Sequence, residues 1–281
     1  MPAPTVIAEP QNYLSRFVVL GWRSLAQLVR TPSHSRRAEA GRRAARHALL
    51  LSAGLGAAII ALMFVLDAWE IGQMPKRGTP SLWWMRIVTD FGKDEYVLAA
   101  LGALLILVAI AAPAFRGIQR SLLLGLGTRL QFLFCAVMVS ALITEVIKWA
   151  VGRGRPFVGG EGNVFHFSHF NGTGAYSSFP SGHATCAFAL AFAVSALWPQ
   201  ARTTMLVYAL VICATRLVLL AHHPSDVVAG ALVGTIGAMF VRYWFAARRL
   251  GFAIHQDGTI VALVGPSSGR LKRVARGPFA P

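Results

Sequence analysis

Six long apolar segments alternate with short polar stretches over most of the chain. They cover residues 48–66, 96–115, 121–149, 181–198, 203–221 and 224–247. Each is close to the roughly 20 residues that a helix needs to cross a bilayer. Because backbone groups in lipid must pair within their own segment, each segment is predicted to be a helix. The pattern predicts an all-α polytopic membrane protein whose residues 48–247 form one six-span domain.

The flanking segments are basic and have their own patterns. In residues 1–47, apolar side chains recur at helical spacing and form a stripe of Leu14, Val18, Trp22, Leu25 and Val29. The arginines Arg16, Arg23 and Arg30 lie off this stripe. This indicates a helix in the headgroup region, although a partly disordered tail fits equally well. Residues 83–91 have one apolar face and predict a short interfacial helix. In the tail, residues 248–281, alternation around Asp257-Gly258 predicts a hairpin within residues 252–263.

Composition supports a membrane protein. Hydrophobic residues make up 55% and charged residues 14% of the 281 residues, against about 45–50% and about 25% in soluble domains. The net charge of +16 would suit nucleic acid or an anionic membrane. Because the basic residues flank the apolar segments, we expect membrane lipids and no nucleic acid as partners. The three cysteines lie within apolar segments, which predicts core packing rather than disulfides.

The distribution of charge predicts the topology. The side that receives the N-terminus also receives most basic residues, including Arg116, Arg120, Arg202, Arg248 and the tail. By the positive-inside rule this side is cytoplasmic. We therefore expect a bacterial inner-membrane protein with both termini in the cytoplasm. The loops after the first, third and fifth spans would face the periplasm.

Three polar clusters lie at the periplasmic ends of the last four spans. They contain Lys148 with Arg155-Pro156, then Pro180-Ser181-Gly182-His183, then Arg216 with His222 and Asp226. Phosphoryl transfer needs fixed positive charge around the phosphate oxygens, which three cations would supply. Ser181 and Gly182 open a helix, where free N–H groups attract an anion.

The histidines suit covalent and proton chemistry. Asp226 follows His222 by four residues, so a continuous helix would place both on one face, although Pro224 complicates that geometry. A carboxylate on one imidazole nitrogen would leave the other free to attack phosphorus. His183 could protonate the leaving oxygen and later activate water. This scheme requires no metal and no cofactor.

The spacing of these clusters resembles a known family. Six residues separate Lys148 from Arg155-Pro156, and five separate Arg216 from His222. With Pro180-Ser181-Gly182-His183 between them, they resemble the three-part signature of the type 2 phosphatidic acid phosphatases, which vanadium haloperoxidases share. Thr215 stands where that family usually has serine. The resemblance implies a catalytic His222, Asp226 and His183. It also implies a phosphate cradle of Lys148, Arg155, Ser181, Gly182 and Arg216.

Other polar residues have open interpretations. Glu145 could pair with Lys148 or line the site. Arg153 could add positive field or be a solvated loop charge. His166 and His169 could in principle bind a metal, but no further ligands are evident. The aromatic, glycine-rich loop 159–179 could be a lid or an interfacial anchor.

The sequence thus predicts a metal-independent membrane lipid phosphatase with a periplasmic site and a phosphohistidine intermediate. Phosphatidic acid, phosphatidylglycerol phosphate, undecaprenyl diphosphate and a lipid A phosphate are the expected substrate types. A lipid phosphotransferase with the same site is the alternative, and an anion transporter is a more distant one, because no repeated halves or midplane polar cluster is present. The sequence leaves the oligomeric state open.

Overall fold

The computed structural model describes residues 12–156, 158 and 164–263. Within these residues the chain forms nine α-helices and one hairpin. The helices are α1 (Tyr13–Val29), α2 (Arg37–Val65), α3 (Asp67–Gln73), α4 (Trp83–Asp90), α5 (Asp94–Ala111), α6 (Gly117–Val151), α7 (Gly182–Leu197), α8 (Arg202–Val218) and α9 (Pro224–Ala247). The strands are β1 (Phe252–Ile254) and β2 (Ile260–Ala262).

The helices confirm the polytopic membrane architecture. Within the described residues, five helical segments are long and apolar enough to cross a membrane, namely Arg37–Val65, Pro80–Ala114, Gly117–Val151, Pro199–Val218 and Pro224–Ala247. The remaining predicted span, the fourth at residues 181–198, corresponds to α7, which is apolar but has only 16 residues. This fourth span is therefore shorter than the roughly 20 residues of a full crossing.

Helix α9 lies at the centre of the bundle and packs against α7, α6 and α2. Glycines allow the closest approach: a Cβ at Gly230 would lie 2.4 Å from the Ser181 carbonyl oxygen, and one at Gly234 would lie 2.3 Å from that of Thr185. Small residues at such positions are typical of closely packed membrane helices. This packing places the N-termini of α7 and α9 side by side at one end of the bundle.

The opposite end is closed by the hairpin and by α1. The strands β1 and β2 pair antiparallel with Ala253 opposite Val261, which confirms the predicted hairpin. Phe252 packs edge-on against Phe132 of α6 with ring centroids 4.8 Å apart. Residues 264–281 lie outside the described part of the chain, so the predicted basic tail is untested beyond the hairpin.

Helix α1 packs against the bundle, so Tyr13–Val29 is helical as one of the two interpretations expected, while its place in the headgroup region stays a prediction. The Tyr13 hydroxyl donates to the Ile110 carbonyl at 2.7 Å, and the Trp244 indole donates to the Leu28 carbonyl at 2.8 Å. Its apolar stripe points outward, with Trp22 72% exposed and Val29 78% exposed. An outward apolar stripe on a helix held against the bundle suits the membrane interface.

Candidate active site

The structure brings the three polar clusters together at one end of the bundle. The Ser181 amide at the start of α7 donates to the Asp226 carbonyl of α9 at 2.9 Å. Arg155, after α6, donates through Nη1 to the Ala221 carbonyl at 3.2 Å. Residues 148–155, 180–183 and 216–226 therefore meet, as the sequence predicts.

His222 is held in one orientation. It lies in the short connection between α8 and α9 and is only 2% exposed. Its Nδ1 lies 2.8 Å from the Ser178 carbonyl oxygen. Because a carbonyl only accepts hydrogen bonds, Nδ1 carries the proton and Nε2 keeps the lone pair. This is the tautomer that a nucleophile requires.

The electrostatic surroundings keep His222 neutral. Burial, followed by the positive charge of Arg155, lowers the pKa of His222 well below its usual value of 6.5. The charge of Arg216 acts in the same direction, while Asp226 opposes it. A neutral imidazole has the free lone pair needed to attack phosphorus.

Asp226 contacts His222 less closely than the sequence predicts. Its Oδ2 lies 3.9 Å from His222 Nδ1, whereas it accepts from the His223 amide at 2.9 Å and lies 3.0 Å from His223 Nδ1. The reason is local: Pro224 begins α9, and Asp226 then caps that helix together with His223. The Ser178 hydroxyl donates to the same Oδ2 at 2.6 Å. Asp226 therefore orients His222 through Ser178.

Arg153 forms a buried hub that the sequence reasoning missed. Its side chain is fully buried and pairs with Asp67 at 2.8 Å and with Asp226 at 2.6 Å. It also donates to the Ser225 hydroxyl at 2.7 Å and to the Val164 carbonyl. The interpretation of Arg153 as a solvated charge is wrong, because loop 164–178 folds back over it. The sequence did contain a possible partner for Arg153, because Asp67 directly follows the first predicted span.

Three other cations surround the histidines without comparable neutralisation. Arg216 is 8% exposed and donates through Nη1 to the Thr89 hydroxyl of α4 at 2.8 Å. Arg155 donates to the Gly174 carbonyl at 2.8 Å, and burial lowers its pKa, as does the charge of Arg77. Lys148 pairs with Glu145 at 2.5 Å, the pairing that the sequence suggested, but Glu145 is largely exposed.

His183 lies among these cations. Lys148, Arg155 and Arg216 are all close enough to act on its ring electrostatically. Its Nε2 is buried and has no hydrogen-bond partner among the described residues, and the same holds for Nε of Arg216. Buried polar atoms without partners are uncommon in proteins and call for an explanation. A bound anion would supply the acceptor oxygens.

Ser181 and Gly182 shape the floor of the site. Ser181 is the N-cap of α7, and its hydroxyl faces the Ala184 amide at 3.5 Å. A Cβ at Gly182 would lie 3.1 Å from Lys148 Nζ. Glycine at this position therefore lets the lysine ammonium lie against the positive end of a helix, where an anion is attracted.

The loop before α7 is pinned to the bundle. His169 Nδ1 lies 3.3 Å from the Ala150 carbonyl of α6, and within the loop His166 Nε2 lies 3.0 Å from the Tyr176 hydroxyl. Phe170 packs edge-on against Trp149. Within residues 12–156, 158 and 164–263, no group of three or more His, Cys, Asp or Glu side chains could hold a metal ion. Independence from metals remains a prediction, and residues 157 and 159–163 of the loop lie outside the described part.

Comparison with known proteins gives a family match over part of the chain. Residues 129–250 match the model of the PAP2 superfamily, the group of type 2 phosphatidic acid phosphatases. Over these residues the chain is similar to the PAP2 superfamily. The match contains all three polar clusters, so the resemblance drawn from their spacing is confirmed. No solved structure matches the chain at a significant level.

Several curated relatives carry phosphatase names. The chain is 35% identical over 144 residues to a lipid A 1-phosphatase of Rhizobium johnstonii, covering 51% of this chain and 57% of the relative. A lipid A 1-phosphatase of Rhizobium etli is 35% identical over 45% of this chain and 55% of its own length. An Escherichia coli protein named for undecaprenyl-diphosphatase activity is 30% identical over 43% of this chain and 60% of its own length. The chain thus spans little more than half the length of these relatives.

Proposed function

We propose that this protein is a membrane lipid phosphatase that works through a phosphohistidine at His222. One observation carries the proposal: a neutral imidazole with its proton on Nδ1 lies among cations, and two buried nitrogens, Arg216 Nε and His183 Nε2, lack partners within the described residues. A phosphoryl group bound there would accept from these donors. The names of the relatives support the same reaction class.

The geometry supports a two-step reaction. In the first step His222 Nε2 bonds to phosphorus and the bond from phosphorus to the lipid oxygen breaks. That oxygen takes the proton from His183, whose protonated form is favoured once the phosphate anion is bound. The Nδ1–H bond to Ser178 stabilises the positive charge that develops on the His222 ring.

In the second step water attacks the phosphohistidine. Neutral His183 takes a proton from that water as the bond between nitrogen and phosphorus breaks, which releases inorganic phosphate and regenerates His222. Lys148, Arg155 and Arg216 stabilise the equatorial oxygens in both steps. Asp226 acts by holding Ser178 and the start of α9.

We further propose that the substrate is a lipid phosphate at the periplasmic surface of a bacterial inner membrane. The names of the relatives favour lipid A 1-phosphate as the first candidate substrate and undecaprenyl diphosphate as the second. Phosphatidic acid and phosphatidylglycerol phosphate rank below them. The two exposed tryptophans of α4, Trp83 and Trp84, suit the interface at this end of the bundle.

The test is phosphate release by purified protein from these four lipids, with His222→Ala as control and no acceptor alcohol added. We expect release from at least one lipid, full sensitivity to vanadate and no loss with a chelator. If phosphate leaves the lipid only when an acceptor alcohol is present, the protein is a phosphotransferase. Absence of turnover on every lipid phosphate would refute the proposal.

A further inference from the structure

A cleft of about 570 Å³ lies between α7, α8 and α9, at the end of the bundle opposite to the candidate active site. Two of its lining residues are arginines: Arg202 begins α8, and Arg242 lies near the end of α9. Much of the remaining wall is apolar, including Phe188, Phe192 and Leu206. The predicted phosphatase reaction uses none of these side chains.

The two arginines lack a counter-charge. Neither makes an ion pair or a side-chain hydrogen bond with any residue in the described part of the chain, and Nε of Arg242 is buried without a partner. Arg242 instead lies over the Phe192 ring, 5.0 Å from its centroid. Two guanidinium groups on one cleft repel each other, and unsatisfied buried donors are costly. Both costs disappear if an anion binds between them.

The cleft is charged at its outer end and apolar further in, which is how polarity is distributed along a lipid molecule. Arg202 and Arg242 lie at the helix ends, where the membrane surface is expected. Phe188 and Thr235 lie near the middle of α7 and α9, so the cleft extends from the surface toward the membrane centre. A headgroup phosphate between the arginines would therefore continue into an acyl chain along the apolar wall.

We propose that this cleft binds a membrane phospholipid with an anionic headgroup. The headgroup phosphate accepts hydrogen bonds from Arg202 and Arg242, and an acyl chain lies along Phe188, Phe192 and Leu206. The lipid occupies the leaflet opposite to the active site and is bound without being hydrolysed. The proposal does not depend on the phosphatase activity, because none of the catalytic residues contributes to the cleft.

Native mass spectrometry of the full chain, released from nanodiscs with equal amounts of phosphatidylglycerol and phosphatidylcholine, tests this proposal. We expect wild-type protein to retain phosphatidylglycerol in preference to phosphatidylcholine. The double variant Arg202→Gln/Arg242→Gln should retain at least about tenfold less, because it loses two charge-assisted contacts. The matched control Arg23→Gln/Arg116→Gln removes two exposed arginines outside the cleft and should retain phosphatidylglycerol like the wild type.

A second variant guards against misfolding of the first. Ser195 lines the cleft, so Ser195→Trp should exclude the acyl chain while leaving both arginines in place. Equal retention of the two lipids by wild-type protein, or undiminished retention by Ser195→Trp, would overturn the proposal. So would complete displacement of the lipid by inorganic phosphate, because the site would then recognise a free anion. Loss of phosphate release with retained phosphatidylglycerol would count only against the proposed function.

Discussion

Arg153 and Arg155 are two residues apart, yet they lie in opposite electrostatic surroundings. Arg153 is fully buried between two carboxylates, and its guanidinium donors point at protein oxygens. Among the described residues Arg155 donates to two backbone carbonyls, those of Gly174 and Ala221, and it shares its surroundings with Arg216 and Lys148. In the first region the charges cancel and this neutralised network fixes the backbone. The second region, around Arg155, keeps a net positive charge. Arg216 in the second region is also buried, so burial alone does not separate the two regions; the partners of the arginines do.

The largest expected effect is in the cation-rich region, at His222. We expect His222→Ala to lower phosphate release about 10⁴-fold or more, because the covalent pathway is lost. Phosphate release and the melting temperature should be measured together. The control is His223→Asn, which alters the neighbouring imidazole in the neutralised network. It should keep activity within about tenfold and lose about 1 kcal/mol of stability, because the contact between His223 Nδ1 and Asp226 is weakened. Equal activity of the two variants would contradict the assignment of His222.

The next effect concerns the neutralised network. Arg153→Gln leaves Asp67 and Asp226 buried without their cation, so we expect a loss of about 3–5 kcal/mol in stability. Thermal unfolding in detergent checks this. The double variant Arg153→Met/Asp67→Asn should recover part of the loss, because it removes one carboxylate together with the cation. An unchanged melting temperature for Arg153→Gln would mean that the network is not a structural one.

Arg216 should show the converse behaviour. Arg216→Gln removes a donor to the transferring phosphate, so kcat/KM should fall about 10²–10³-fold. The melting temperature should change little, because among the described residues a single hydroxyl, that of Thr89, is left without its donor. Lys is the conservative control: Arg216→Lys keeps the charge and should recover part of the activity. A variant that loses stability but not turnover would place Arg216 with Arg153.

Glu70 lies beside the carboxylates of the neutralised network, and its protonation should make the stability of the protein depend on pH. It is 4% exposed, and burial followed by the charges of Asp67 and Asp226 raises its pKa from 4.5 to about 7. Between these two values the folded state binds more protons than the unfolded state, so stability falls as the pH rises through this window. Glu70→Gln removes the titrating group. It should raise the melting temperature relative to wild type at pH 8 and leave it nearly unchanged at pH 5, whereas the same gain at both pH values would contradict a titrating Glu70.

Much of the fold could be predicted from apolar segment length. The predicted bounds of the last span coincide with α9, and the hairpin follows from alternation around Asp257-Gly258. The helix ends were less predictable. Helix α2 begins at Arg37 rather than near residue 48, because the basic residues continue the helix beyond its apolar part. The positions of the three polar clusters at span ends also correctly predicted that the clusters meet.

The hydrogen bonds within the site could not be predicted from spacing. A four-residue separation suggested that Asp226 bonds His222, but Pro224 restarts the helix and turns the carboxylate toward His223. The Ser178 carbonyl, not Asp226, accepts the hydrogen bond from His222. A backbone acceptor cannot be recognised from a pattern of side chains. Arg153 and Asp67 are 86 residues apart, so their pairing required the folded chain.

The most direct test of the central claim is to locate the covalent phosphate. Purified protein should be mixed with a cleavable lipid phosphate, quenched in alkali within milliseconds and digested for peptide mass spectrometry. We expect one phosphate on the imidazole of His222, and none in the His222→Ala variant. Phosphate on His223 or His183, or turnover with no labelled histidine in the described residues, would contradict the account.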